Sequence, residues 1–101
     1  MKAPSIVNIT GILKAWMRKD TRHLYIGRKT WCASGSKWQN PYRVKVYGTE
    51  ESLRLYEAHV RHTPSLWNSL HELEGKILGC WCKPRGCHGD VLIRLLEERK
   101  V

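Results

Sequence analysis

The chain has 101 residues and sets 18 Lys and Arg against nine Asp and Glu, a formal charge of +9 with 42% hydrophobic and 27% charged residues. That length predicts one domain spanning 1–101, the composition excludes a disordered tail, and the charge points to an anionic partner. No apolar run approaches the length of a membrane span, so no membrane partner is expected.

Ser5–Ile9 reads as a first strand, and Gly11–Lys19 as a helical turn or irregular excursion. His23–Gly27 has the pattern of a buried strand ending on glycine, and Arg28–Tyr42 is a loop rich in turn formers. Arg43–Tyr47 alternates basic and apolar residues, which predicts a half-exposed strand. Thr49 opens a helix to about Arg61 with Leu53, Tyr56 and Val60 on one face. A second helix starts at Thr63-Pro64, buries Leu66, Trp67, Leu70 and Leu73, and stops at Gly75. Lys76–Trp81 is the last strand. A final helix opens near Gly89 with Val91, Leu92, Leu95 and Leu96 as its apolar stripe.

This order predicts an α/β fold: a small, single-domain, Rossmann-like sheet of about four strands flanked by three or four helices. If the strands ending at Gly27 and at Cys80–Cys82 run parallel, both ends open onto the edge where such sheets bind ligands.

Two segments carry the chemistry. The first, Gly79–Asp90, reads GCWCKPRGCHGD, and three readings compete for it. Glycines, Lys83, Arg85 and the start of a helix together describe an anion site, suited to the phosphate of a nucleotide-like ligand. Cys80, Cys82, Cys87 and His88 are zinc-ligating types, but their spacing departs from C-x2-C; no cofactor is expected, with zinc as the alternative. Cys87, with His88 as acid or base and Asp90 to orient it or to cap the helix, would make a reactive thiol and a catalytic site. Gly89 would let a ligand approach the backbone.

The second segment is Tyr25–Tyr42. Gly27, Arg28, Ser36, Lys37, Trp38, Asn40 and Pro41 fit a phosphate-and-base cradle, in which Trp38 or Trp31 stacks on a base. It is no P-loop, because G-x4-G-K-[ST] is absent. Five Trp and four Tyr with no Phe suit half-exposed sites for bases, and Trp81 belongs with them.

Across these segments the sequence resembles the family filed as domain of unknown function 4326, found in phages, bacteria and some large viruses. The resemblance rests on Tyr25-Ile26-Gly27-Arg28, on Ser36-Lys37-Trp38-Gln39-Asn40-Pro41-Tyr42, and on Gly79-Cys80-Trp81-Cys82-Lys83-Pro84 with Cys87-His88-Gly89-Asp90-Val91-Leu92. Two features depart from that pattern: Ile12–Thr21 is longer than the usual connection, and Gln39 stands where glycine is common. The resemblance implies a fold and the placement of a site more than an activity.

The leading expectation is a pocket protein for a phosphorylated, nucleotide-like ligand. Phosphate would meet Arg28, Lys37, Lys83 and the Cys87–Asp90 helix start, while Trp38 or Trp81 stacks on the base. In a phage, sequestering a nucleotide signal would be one use. The rivals are a Cys87/His88-dependent enzyme acting on a nucleotide or nucleoside, and a nucleic-acid binder with or without zinc. The start MKAPSIVNIT lacks an apolar signal core, which predicts reduced thiols and the cytoplasm of a cell or an infected host. Exposed Trp leaves a homo-oligomer open.

Overall fold

A computed structural model describes residues 4–30, 35–81 and 87–99. Among them are three strands and five helices: β1 (Ser5–Asn8), α1 (Leu13–Lys19), β2 (His23–Tyr25), α2 (Val44–Tyr47), α3 (Thr49–Arg61), α4 (Pro64–Trp67), a 3-10 turn (Leu70–Leu73), β3 (Ile77–Cys80) and α5 (His88–Arg99). The sheet is wholly parallel in the order β1-β3-β2, with Ser5 and His23 both opposite Ile77. The expected parallel pairing of β2 and β3 is therefore present.

Side chains alternate across this sheet as a period of two requires. Val7, Tyr25 and Ile77 point to one face, where Ile9 and the buried Leu13 and Trp16 of α1 cover them. Ile6, Leu24, Leu78 and Cys80 point to the other. There α3 contributes Tyr56 and Val60, α5 contributes Val91, Leu92, Leu95 and Leu96, and Leu66, Leu70 and Leu73 fill the edge. The result is three layers, with β3 as the buried centre.

Two glycines set how closely these layers meet. A Cβ on Gly79 would lie 2.7 Å from the Trp16 ring, so glycine there lets α1 press onto β3. A Cβ on Gly89 would lie 2.9 Å from Ile6 Cδ1 and 3.1 Å from Ile26 Cδ1. Gly89 therefore seats α5 on the sheet.

The expected fourth strand is a helix. Arg43–Tyr47 holds α2 instead, so the sheet has three strands among the described residues and not four. Alternation signals a strand only when one face is buried, and here Val44 and Val46 are 38% and 70% exposed. No sheet neighbour rewards an extended chain, and the segment coils into one turn that Gly48 ends at φ 80°, its N–H donating to the Val44 carbonyl at 2.7 Å. The helix expected from Thr63 to Gly75 is divided into α4 and the 3-10 turn, and Ser69 Oγ donates back to the Ser65 carbonyl at the break. Trp67 is only partly buried, beneath the guanidinium groups of Arg61 and Arg99. Among the described residues no helix is long and apolar enough to cross a membrane.

Candidate functional site

Beyond their last paired residues, β2 continues into Ile26-Gly27-Arg28 and β3 into Trp81. A third segment, Asn40–Lys45, folds over these two strand ends. Asn40 holds it in shape: its Oδ1 accepts the Tyr42 N–H at 2.9 Å, and its Nδ2 donates to Ser52 Oγ at 2.8 Å. Ser52 is fully buried in the first turns of α3 and donates in turn to the Tyr42 carbonyl. Arg28 Nη2 donates to the Asn40 carbonyl at 2.7 Å, which ties the β2 end to this loop.

Between the three segments lies a cleft of about 300 Å³. Gly27, Arg28, Trp81 and His88 line it from the sheet side, and Asn40, Tyr42, Arg43, Val44 and Lys45 from the loop and α2. It carries three cations, from Arg28, Arg43 and Lys45, and its described lining has no carboxylate. Trp81 is 41% exposed and gives it an aromatic wall. The position agrees with the rule that open parallel sheets bind ligands beyond the carboxyl ends of their strands.

Five residues singled out from the sequence thus converge here: Gly27, Arg28, Asn40, Trp81 and His88. Others do not. Trp38 is 2% exposed and its carbonyl accepts the Tyr56 hydroxyl at 2.6 Å, so it is a core side chain and not a stacking platform. Lys37 pairs with Glu72 at 2.8 Å and lies over Trp38. That hydrogen bond holds the Glu72 carboxyl below its ordinary range. Ser36 Oγ accepts the Trp38 N–H at 3.0 Å, closing a local turn. Ser36, Lys37 and Trp38 border a different groove, with Leu24, Tyr25 and Lys76. Pro41 is exposed and not among the cleft-lining residues. Trp31, Cys82, Lys83 and Arg85 lie outside the described residues.

The start of α5 is built differently from an anion cradle. The Cys87 N–H donates to Asp90 Oδ2 at 3.1 Å, and Cys87 Sγ accepts the Gly89 N–H at 3.4 Å. This is a capping box with a thiol in place of the usual hydroxyl, and the Asp90 N–H is bonded to the Cys87 carbonyl. The N–H groups of Cys87, Gly89 and Asp90 thus have partners within the helix turn, and a carboxylate stands among them.

Cys87 is fully buried in the core shared by the sheet and α3. His88 Nε2 lies 2.8 Å from the Ile26 carbonyl, so that nitrogen carries the hydrogen and donates, while Nδ1 faces Cys87 Sγ at 3.8 Å. The ring also meets Tyr56 edge to face at 5.2 Å. Burial, with Cys87 close by, pushes the Tyr56 phenol far above its ordinary range. Cys87 and His88 are adjacent, as a thiol–imidazole pair requires; the Ile26 carbonyl accepts from His88, and of the two roles the sequence offered Asp90 the described contact is the helix cap. For zinc, Cys80 and Cys87 are both core residues and both His88 nitrogens face protein partners. Among the described residues, no group of three or more His, Cys, Asp or Glu is placed to hold a metal.

Sequence reading missed Tyr42, Arg43, Val44 and Lys45 as cleft residues. Their signal, two cations beside a turn, was present but absorbed into a strand with solvated bases.

The model of the family described as Domain of unknown function (DUF4326) matches residues 13–98. An uncharacterized protein of Acanthamoeba polyphaga mimivirus is 37% identical over 88 residues, covering 73% of this chain and 66% of the relative. This chain thus spans slightly less than two thirds of that relative. No solved structure matches.

Proposed function

The chain belongs to the DUF4326 family, and we propose that it binds a phosphorylated, nucleotide-like ligand in the cleft at the carboxyl ends of β2 and β3. The observation that carries this reading is the pairing of Arg28, Arg43 and Lys45 with the exposed Trp81 around one cleft without a described carboxylate. Phosphate oxygens take charge-assisted hydrogen bonds from the cations, and the base lies on the indole. A volume of about 300 Å³ suits a mononucleotide better than a polymer. The net charge of +9 draws anions to it.

Holding, not conversion, is the action assigned. An enzyme using Cys87 would need its thiol at the ligand, and that side chain is fully buried. Calorimetric titration with a panel of nucleoside mono- and diphosphates tests the reading. Saturable 1:1 binding is expected, weakened about tenfold by Arg43→Ala or Lys45→Ala, the scale of one charge-assisted hydrogen bond. Binding only to long DNA or RNA, steeply salt-dependent and not displaced by mononucleotides, would favour the nucleic-acid rival. Conversion of a nucleotide, detected by mass spectrometry and lost in Cys87→Ala, would favour the enzyme.

A further inference from the structure

One side chain of β2, at the start of the Tyr25–Tyr42 segment, joins the two strand ends of the cleft. Tyr25 is 5% exposed, yet its hydroxyl accepts the Trp81 indole N–H at 3.0 Å and donates to the Arg28 carbonyl at 2.5 Å. The Tyr25 and Trp81 rings meet edge to face, with centroids 6.2 Å apart and planes at 80°. Gly27 makes room for this contact: a Cβ there would lie 2.6 Å from Tyr25 Cζ, so only glycine lets the phenol turn back beneath residues 27–28.

Consider what this does to Trp81. An exposed indole has a flat apolar face and one polar atom, a donor. Here the donor is engaged by Tyr25, so the ring offers the cleft only π-surface. A sugar hydroxyl or a bare phosphate gains little from such a wall, whereas a heteroaromatic ring stacks on it. We infer that Tyr25 is a positioning residue that fixes Trp81 as a stacking wall, so that the cleft selects phosphates carrying an aromatic base over non-aromatic phosphates. The base preference rests on the nucleotide reading above; the fixing of Trp81 does not.

The test uses the full chain labelled with 5-fluorotryptophan, whose five indoles give five fluorine resonances, with Trp81→Phe assigning its own. In the ligand-free protein, Tyr25→Phe is expected to move the Trp81 resonance while Trp67, on the other face of the sheet, holds its own. The Trp81 indole N–H of the wild-type chain is expected to exchange more slowly than an exposed indole, a measurement that stands even if Tyr25→Phe does not fold. The wild type should bind the best of AMP, GMP, CMP and UMP at least tenfold more tightly than ribose 5-phosphate, and Tyr25→Phe should shrink that ratio. An unmoved Trp81 resonance or a freely exchanging indole N–H overturns the positioning role, whether or not nucleotides bind. No binding of the four nucleotides, with Trp81 nonetheless held, overturns the nucleotide reading instead.

Discussion

Asp90 Oδ2 accepts the backbone N–H of Cys87 at 3.1 Å, and that one bond moves the candidate anion site away from the helix start. A capped helix end has fewer donors to offer and adds a negative charge where phosphate would sit. Among the described residues, the cleft's cations are Arg28 at the end of β2, Arg43 of the loop and Lys45 of α2. Asp90→Ala is therefore expected to lower stability by about 1 kcal/mol, the usual cost of a lost cap, and to leave nucleotide affinity within about twofold. Denaturant unfolding and titration on the same variant check both halves. A large loss of affinity without loss of stability would return Asp90 to the site.

Ser52 joins α3 to the Asn40–Tyr42 loop through two hydrogen bonds while fully buried. Removing its hydroxyl leaves the Asn40 amide and the Tyr42 carbonyl without that partner, at a cost of about 1–3 kcal/mol. Ser52→Ala should destabilise by that amount and also weaken ligand binding, because Arg43 and Lys45 follow directly on the loop it anchors. Equal affinity in the folded variant would show that the loop's shape does not depend on Ser52.

On the far side of the molecule α3 and α5 are linked by charge. Arg61 meets both Glu57 and Glu98, and Arg94 meets Glu57. Hydrogen bonds from Arg94 and then Arg61 hold the Glu57 carboxyl below its ordinary 4.5, and the bond from Arg61 does the same for Glu98. A carboxyl depressed in the folded state contributes stability that is fully present above its unfolded pKa. That contribution is lost as pH falls through the lower, folded value. Thermal midpoints measured across pH should hold above about pH 5 and decline below it, with a shallower decline in Glu57→Gln. These pairs are only partly buried, so the effect is small and salt weakens it. An unchanged acid limb in Glu57→Gln would remove the network from the account.

Gly79 faces the Trp16 ring closely enough that a methyl group has no space. Gly79→Ala is expected to cost about 1–3 kcal/mol through overpacking, measured by denaturant unfolding. Trp16→Leu should restore part of the loss. No cost in the single variant would mean that α1 is free to lift from the sheet.

Much of this was legible in the sequence where burial and period agree. Leu53–Val60 and Val91–Leu96 repeat at helical spacing, and α3 and α5 lie there. The apolar run within the expected strand Lys76–Trp81 is the central strand, Ile77–Cys80. The Arg43–Tyr47 alternation misled because period two says nothing unless a sheet covers one face, and that is a tertiary fact. Trp38 misled for a related reason: its flanking Ser36, Lys37 and Asn40 read as surface, yet Ser36 closes a local turn, Lys37 reaches Glu72 and Asn40 reaches Ser52 while the indole turns inward. The cleft's two sheet-side corners, Gly27-Arg28 and Trp81, were found through strand ends. Its third side was hidden because it needed the loop to fold back.

The central claim is that nucleotide-like anions enter the cleft between Arg28, Arg43, Lys45 and Trp81. Amide and indole chemical shifts of the labelled full chain, followed during titration with nucleoside monophosphates, test it most directly. The account predicts saturable shifts centred on Gly27, Arg28, Lys45 and the Trp81 indole, with the Ser36–Trp38 groove unmoved. Shifts centred on Ser36–Trp38, or none at saturating nucleotide, would contradict it.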